Sequence, residues 1–266
     1  MSLSPNGTSY RIVGPADAPV VVLIHGLGLN SACWQWTTPA LSDAYRVLTY
    51  DLFGHGASAA PPQTPSLTMF AQQLAALLDH CGIENAVIAG FSLGGMIARR
   101  FAQDLPTRTR GLIILHSPHK RSAAAQDAIL KRVDQARKDG PQSTVEAALD
   151  RWFTAGFRTA NPAMMDEVRG WVTANKIEIY HTIYRVLAEG IDEIVAPDPA
   201  ITCPALVITG DEDYGNGPEM THAIAAEIPG AEAVILPGLR HMALAENPNA
   251  VNTPIRRFLD RLDPGA

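Results

Sequence analysis

The sequence has few cysteines, few charges and no long hydrophobic run, and each scarcity excludes a class of protein. Its 266 residues include three cysteines. They are widely spaced and odd in number, so we expect no disulfide framework and no cysteine metal site, and a cytoplasmic location. No apolar stretch is long enough to span a bilayer, and the first ten residues contain no signal-peptide core. We therefore expect no membrane partner.

Charged residues make up only 18% of the chain, and the formal net charge is −6. An acidic chain without blocks of like charge gives no reason to expect a nucleic-acid partner. The histidines show no spacing typical of metal ligands, so we expect no metal and no cofactor. What is present is a globular composition with 47% hydrophobic residues, enough for a large core. The composition leaves the oligomeric state unknown.

Short apolar runs alternate with helical patterns along most of the chain. The runs are rich in valine, isoleucine and leucine and are typical of buried strands: Val20–Ile24, Tyr45–Tyr50, Ala86–Ala89, Leu112–His116, Leu206–Thr209 and Ala233–Leu236. Three segments between them have the apolar spacing of helices: Leu67–His80, Gly94–Gln103 and Glu219–Glu227. The alternation predicts an α/β fold with a mostly parallel, twisted sheet and helices on both faces.

Residues 118–196 interrupt this alternation, because they contain no convincing buried strand. Four consecutive helices are predicted instead: Ser122–Lys138, Thr144–Phe153, Pro162–Ala174 and Lys176–Ala188. We predict a core domain formed by residues 1–117 and 197–266, with residues 118–196 as a helical cap over the carboxyl ends of the strands. Ligands bind at that edge of such sheets. A helical bundle packed elsewhere on the core is the alternative.

Ser92 lies between a predicted strand and a predicted helix, within the pattern Gly-x-Ser-x-Gly formed with Gly90 and Gly94. The pattern alone is a weak signal, because small residues recur by chance. In a strand–turn–helix context it is typical of a nucleophile elbow, where a tight turn projects the serine hydroxyl above the sheet. An ordinary glycine-rich turn with an incidental serine is the alternative.

A serine hydroxyl needs an adjacent base, which is itself oriented by an acid. His241 follows one predicted strand, and three acids, Asp211, Glu212 and Asp213, follow another. We predict Asp213 as the orienting acid because of its spacing from the strand, and we expect the other two to cap or solvate the turn. The loop after Leu112–His116, the other common origin of the acid, contains none.

Hydrolysis of a carbonyl compound also needs donors for the developing oxyanion. We expect one from the backbone N–H of Leu93, which follows the serine at the start of a helix. The second is expected from the backbone N–H of Leu27, between Gly26 and Gly28. We interpret His25 as a residue that holds this loop in place.

On these residues the chain resembles the α/β-hydrolase superfamily over almost its whole length. The matching pieces are His25–Gly28, Asp51–Ser58, the Ser92 turn, Gly210–Asp213 and His241. Within the superfamily, Gly94–Ile97 and Arg151–Phe157 are most similar to 3-oxoadipate enol-lactonases. The segment Ile179–Arg185 departs from the enol-lactonase pattern, which leaves room for a different substrate. The resemblance implies that His55 is structural.

The resemblance implies an enzyme, a serine hydrolase that cleaves a small carboxylate-bearing ester or enol-lactone through an acyl-enzyme. Trp152, Arg151, Arg185 and Tyr184 are the predicted substrate-binding residues, and Arg121 and Arg158 are further candidates for pairing with a carboxylate. Solvated arginines and packed aromatics are the alternative. Three other functions stay open: hydrolysis of an amide or enamide in heterocycle degradation, C–C bond hydrolysis of a ring-fission product, and non-catalytic ligand binding on the same fold.

Overall fold

The computed structural model describes residues 1–263 and contains one eight-stranded sheet. The strands, in chain order β1 to β8, are Ser2–Leu3, Ser9–Val13, Val20–Ile24, Arg46–Tyr50, Ala86–Phe91, Thr109–Leu115, Ala205–Gly210 and Glu232–Leu236. Their spatial order is β1-β2-β4-β3-β5-β6-β7-β8. The pairs involving β1 and β2 are antiparallel and all others are parallel, as the α/β prediction requires.

Helices connect the parallel strands and form most of the remaining chain. In chain order, α1 to α11 are Thr38–Leu41, Leu67–His80, Leu93–Asp104, Ala123–Asp139, Val145–Trp152, Ala155–Ala160, Pro162–Thr173, Ile177–Glu189, Pro218–Ala226, Ala243–Glu246 and Pro248–Leu262. Every residue of β5 and of β7 is buried. Because alternate side chains of a strand point to opposite faces, both faces of the sheet are covered. The predicted fold class is confirmed.

The prediction missed β1 and β2, which together form the antiparallel edge of the sheet. Residues Ser9–Val13 of β2 are mostly half-buried or exposed, so the strand lacks the apolar run that identifies a buried one. It pairs with β4 in the register Tyr10 to Tyr50. The short helix α6, residues Ala155–Ala160, was missed as well; it begins after Thr154, whose side chain accepts a hydrogen bond from the Phe157 N–H.

The helices α4 to α8, here called the helical segment, follow one another between β6 and β7. Apart from α6, which was not predicted, their bounds agree with the predicted helices to within one residue. Helix α5 is tied to the loop after β8 because the Trp152 carbonyl accepts a hydrogen bond of 2.9 Å from the Met242 N–H. The domain boundaries at residues 118 and 196 stay a prediction. No helix within residues 1–263 combines the length and apolar character needed to cross a bilayer.

Candidate active site

Ser92 lies at the turn between β5 and α3, in a backbone conformation with φ 56° and ψ −116°. Residues other than glycine rarely adopt positive φ, so the turn is strained. The strand and helix approach each other closely: a Cβ on Gly90 would lie 2.1 Å from the Gly94 carbonyl oxygen, and one on Gly94 would lie 2.2 Å from the Ile24 carbonyl oxygen. Glycine at both positions is therefore a steric requirement of this turn.

His241 and Asp213 lie in the loops after β8 and β7 and form a buried pair. The Nδ1 atom of His241 is 2.7 Å from Oδ2 of Asp213. The other carboxylate oxygen, Oδ1, accepts hydrogen bonds of 3.1 Å from the backbone N–H groups of Gly215 and Asn216. Because an ionised carboxylate can only accept hydrogen bonds, the Nδ1 atom of His241 carries a proton and donates it to Oδ2 of Asp213.

The two neighbouring acids make different contacts. Asp211 accepts a hydrogen bond of 2.7 Å from the Gly238 N–H, and Glu212 pairs with Arg240. Among the contacts of residues 1–263, Asp213 is the acid that bonds to His241. Asp213 was chosen among the three acids for its spacing from the end of the strand, and it is the one that contacts His241.

A second histidine, which the sequence analysis missed, also contacts this carboxylate. His116 directly follows β6, and its Nδ1 atom is 2.9 Å from Asp213 Oδ2. Burial raises the pKa of the Asp213 carboxyl, but the contacts with His241 and His116 outweigh burial and hold the pKa well below its usual range. His116 and Asp213 follow two neighbouring strands, β6 and β7, but no pattern in the sequence marks this histidine as a partner of the acid.

The loop after β3 is held by two buried histidines. His25 Nε2 accepts a hydrogen bond of 2.9 Å from the Leu52 N–H, and its Nδ1 donates to the Gly26 carbonyl at 2.8 Å. His55 Nε2 accepts a hydrogen bond of 3.0 Å from the Gly28 N–H. Burial is the main factor that lowers the pKa of His25 and of His55, the latter to about 3, so both rings are neutral at physiological pH.

The N–H of Leu27 takes no part in these bonds, whereas the N–H of its neighbour Gly28 donates to His55. Within residues 1–263 neither the N–H of Leu27 nor that of Leu93 has a hydrogen-bond acceptor. Leu93 is the first residue of α3, so its N–H is one of the four that a helix leaves unpaired at its start. Both groups lie next to residues of the cavity that contains Ser92.

Ser92 and His241 line one cavity of about 110 Å³ between the sheet and the helical segment. No hydrogen bond joins Ser92 Oγ to His241 within residues 1–263, and such bonds are often long before substrate binds. Three arginines line the same cavity and are here called the arginine cluster: Arg121, Arg132 and Arg151. Two of the predicted substrate contacts besides Arg151 also line it, Trp152 and Tyr184.

Two other arginines that were predicted as carboxylate contacts, Arg185 and Arg158, lie outside this cavity. Arg185 is exposed and pairs with Glu189, and Arg158 pairs with Asp150. Successive residues of a helix point about 100° apart, so the burial of Tyr184 on α8 turns the next residue toward solvent.

Two further cavity residues, Arg132 and Tyr180, were not predicted from the sequence. Both lie one helical turn from another lining residue: Arg132 is three residues from Ile129, and Tyr180 is four residues from Tyr184. Because residues three or four apart lie on the same face of a helix, placing Ile129 or Tyr184 in the cavity predicts the same location for Arg132 or Tyr180. Arg132 Nε donates to Tyr184 Oη at 3.1 Å.

The side chains of His116, Asp213 and His241 also have the spacing of metal ligands, with donor atoms within 4.8 Å of one another. The spacings of 2.9 and 2.7 Å between each imidazole nitrogen and the shared carboxylate oxygen are those of hydrogen bonds. Both bonds use a protonated nitrogen, and a metal would have to displace that proton. These contacts favour hydrogen bonding, but they do not test whether a metal binds, and the expected absence of a metal stays a prediction.

Relatives with assigned reactions align along nearly the whole chain. The (E)-2-((N-methylformamido)methylene)succinate hydrolase of Acinetobacter baylyi is 29% identical over 262 residues, covering 98% of this chain and 97% of the relative. The 3-oxoadipate enol-lactonase 2 of the same organism is 28% identical and covers 96% and 94%. The crystal structure of the enol-lactonase from Burkholderia xenovorans LB400 superimposes with a TM-score of 0.87 at 28% identity, covering 95% and 96%.

These relatives are hydrolases of small molecules, and this chain shares their fold and hydrolase class. The resemblance to enol-lactonases noted in the sequence is confirmed at the level of family. The model of the alpha/beta hydrolase family matches residues 21–253, which include Ser92, Asp213 and His241. The chain belongs to the alpha/beta hydrolase family.

Proposed function

We propose that this enzyme hydrolyses a small carboxylate-bearing ester or enol-lactone through an acyl-enzyme on Ser92. His241 Nε2 takes the serine proton as Oγ attacks the carbonyl carbon, and later returns a proton to the leaving oxygen. Asp213 holds the ring with Nε2 toward the cavity. The hydrogen bond of 2.7 Å between Asp213 and His241 and the shared cavity of His241 and Ser92 support these roles.

The backbone N–H groups of Leu27 and Leu93 are the proposed donors to the oxyanion. Their lack of a partner within residues 1–263 supports this role, because a preorganised donor needs no rearrangement when charge develops. A water molecule then attacks the acyl-enzyme with His241 as base, which releases the acid and restores Ser92.

The uncompensated charge of the arginine cluster is the observation that carries the substrate class. Arg121 donates to the carbonyls of Leu187 and Ala188, and Arg132 donates to Tyr184. Burial and the neighbouring Arg132 lower the pKa of Arg121, to about 10, and of Arg151. Within residues 1–263 no carboxylate pairs with the cluster, so bringing these cations together costs free energy that an anionic substrate would offset.

Arg151 is the member most available to a ligand. No hydrogen bond engages its guanidinium within residues 1–263, whereas Arg121 and Arg132 each hold part of α8. It directly precedes Trp152, whose ring centroid is 6.0 Å from that of His241. Because Arg151 and His241 line the same small cavity, a carboxylate paired bidentately with Arg151 would share that cavity with the proposed base, which suits a small acid.

Turnover of matched acid and methyl-ester pairs tests this proposal. The panel contains lactones, 4-nitrophenyl esters and acyl enamines, each with its carboxylate free or methylated. In Arg151→Met we expect KM to rise about 10- to 100-fold for the acids, the loss typical of a charge-assisted bond, with little change for the methyl esters. Arg185→Met is the matched control, since Arg185 is an exposed arginine of the same helical segment. Equal KM effects on acids and methyl esters would contradict carboxylate binding while leaving the Ser92 chemistry intact.

Hydrolysis of an amide or enamide is the second candidate. It is supported by the formamide in the name of one Acinetobacter baylyi relative, which aligns over 98% of this chain. The two candidates use the same Ser92 chemistry and differ in the leaving group, which is nitrogen instead of oxygen. The acyl enamines in the panel distinguish them: a higher kcat/KM for acyl enamines than for lactones would favour the amide candidate.

A further inference from the structure

His116 is not one of the three residues proposed to carry out the reaction, Ser92, Asp213 and His241, yet it contacts the Asp213 carboxylate. It is fully buried at the end of β6, with φ 49°, and it shares the carboxylate oxygen that binds His241. The two imidazole rings lie edge to face, with centroids 5.6 Å apart. One oxygen of Asp213 therefore accepts from two histidines.

The contacts of His116 identify its tautomer. An ionised carboxylate only accepts hydrogen bonds, so the nitrogen facing Asp213 must carry the proton. Thr209 Oγ1 lies 3.3 Å from the same Nδ1, and its own proton goes to the Asn216 carbonyl at 2.7 Å, so it too accepts from His116. The Nε2 atom is buried without a hydrogen-bond partner among the described residues. Burial lowers the pKa of His116 and outweighs the opposing effect of Asp213. The lowered pKa favours the neutral form of the ring.

We propose that His116 is a positioning residue for the hydrolytic reaction: its Nδ1–H fixes the Asp213 carboxylate and limits the negative charge that Asp213 offers to His241. The inference rests on the proposed function, because it assigns His116 a role only if Asp213 and His241 act on Ser92. His116 does not line the cavity, so it acts on the reaction through Asp213 without touching the substrate.

The backbone around His116 is held firmly enough to position another side chain. Its N–H donates to the Ile208 carbonyl at 2.7 Å, and its carbonyl accepts from Asn216 Nδ2 at 2.8 Å. With two backbone donors on Oδ1 and two imidazoles on Oδ2, the Asp213 carboxylate cannot rotate without breaking a buried bond. Buried networks of this kind favour one side-chain arrangement.

The second donor also affects the charge balance. A hydrogen bond from His116 withdraws charge from the oxygen that faces His241, so it weakens the attraction between Asp213 and a protonated His241. The titratable groups that face His116 are Asp213, His241 and, farther away, Glu246. Removing the donor leaves Asp213 with a stronger hold on the protonated base, and activity should then be lost at a higher pH as the solution is acidified.

Two substitutions separate this role from simple packing. In His116→Asn the side-chain amide N–H can replace Nδ1–H at the same distance from Cβ, whereas His116→Leu fills the space without a donor. We expect His116→Leu to lower kcat about 10-fold or more, with KM little changed, and to move the acid limb of the kcat/KM profile to higher pH. His116→Asn should restore both. A profile of His116→Leu that matches the wild type, or an Asn variant as impaired as the Leu variant, would overturn the role.

A measurement on the wild-type enzyme keeps the test independent of variant folding. Nitrogen NMR of protein with ¹⁵N-labelled histidine reports which ring nitrogen of each histidine is protonated, and His116→Asn assigns the signal. Protonation of His116 on Nδ1 supports the inference, and protonation on Nε2 alone would overturn it. If wild-type Ser92 fails to react with a fluorophosphonate, the proposed function fails and the role of His116 with it. A reactive wild type with an unchanged Leu variant removes the role of His116 alone.

Discussion

Arg99 on α3, which is buried, and Glu227 just after α9, which is half-buried, form an ion pair with 3.0 Å between Arg99 Nη2 and Glu227 Oε2. The pair contacts the two connections that lead into and out of the helical segment. Arg99 donates to the carbonyls of Pro118 and Ile194, and Glu227 accepts from the Ala196 N–H at 2.9 Å. The two connections are thereby joined at one point beneath the segment.

Glu227→Gln should destabilise the protein by about 3 kcal/mol, because it leaves the Arg99 guanidinium buried without a countercharge. Burial already lowers the pKa of Arg99, to about 10, despite the opposing effect of Glu227. Chemical denaturation measures the loss. Glu189→Gln is the control, since its pair with Arg185 is exposed and should contribute less than about 0.5 kcal/mol. Equal losses in the two variants would contradict a structural role for the pair of Arg99 and Glu227.

The core of the fold could be read from the sequence because its strands are short apolar runs buried on both faces, such as Val20–Ile24. The edge strand β2 could not, since its half-exposed residues resemble a loop. Ser92, Asp213 and His241 were predictable because each follows a recognisable strand. The role of His116 was not predicted, although it also follows a strand, because no sequence pattern marks a histidine after β6 as a partner of an acid after β7.

His55 should make the protein less stable in mild acid. Its pKa is lowered to about 3 in the folded state, chiefly by burial, from an ordinary value of 6.5. Below pH 6.5 the unfolded chain binds a proton that the folded chain does not, so stability present at neutral pH is lost as pH falls toward 3. The loss is roughly 1.4 kcal/mol per pH unit, or about 2 kcal/mol between pH 6.5 and 5.

Denaturation at pH 7 and pH 5 measures this effect in the wild type and in His55→Gln, whose amide oxygen can still accept from the Gly28 N–H. The variant should lose less stability on acidification than the wild type. His222→Gln, at an exposed position, should behave as the wild type does. An identical pH dependence in His55→Gln would show that this histidine is not buried in its neutral form.

Gly94→Ala should damage the Ser92 turn. The added Cβ would lie 2.2 Å from the Ile24 carbonyl oxygen, so strand or helix must shift, and we expect a loss of about 1 to 3 kcal/mol together with most activity. Gly170→Ala is the matched control in helix α7, where an added Cβ meets nothing within 4 Å. There alanine should stabilise by about 0.5 to 1 kcal/mol. Thermal unfolding that ranks the two variants in the opposite order would contradict the close approach at Gly94.

Asp213→Asn should lower kcat by about three to four orders of magnitude, because an amide cannot hold His241 in the tautomer that presents Nε2 as a base. Asp211→Asn changes a neighbouring exposed acid whose contact is the Gly238 N–H, and it should stay within about threefold of the wild type. Steady-state turnover of the substrate that the acid and methyl-ester panel identifies compares the two. Similar kcat values for both variants would mean that Asp213 is not the orienting acid.

Labelling of Ser92 by a fluorophosphonate, followed by intact-protein mass spectrometry, tests the proposed chemistry most directly. The probe reacts with serines whose hydroxyl is activated by a neighbouring base, and it needs no knowledge of the natural substrate. We expect one adduct per wild-type chain, located on Ser92 by peptide mapping, none in Ser92→Ala, and much slower labelling in Asp213→Asn. An unlabelled wild type, or an adduct that persists in Ser92→Ala, would contradict Ser92 as the nucleophile.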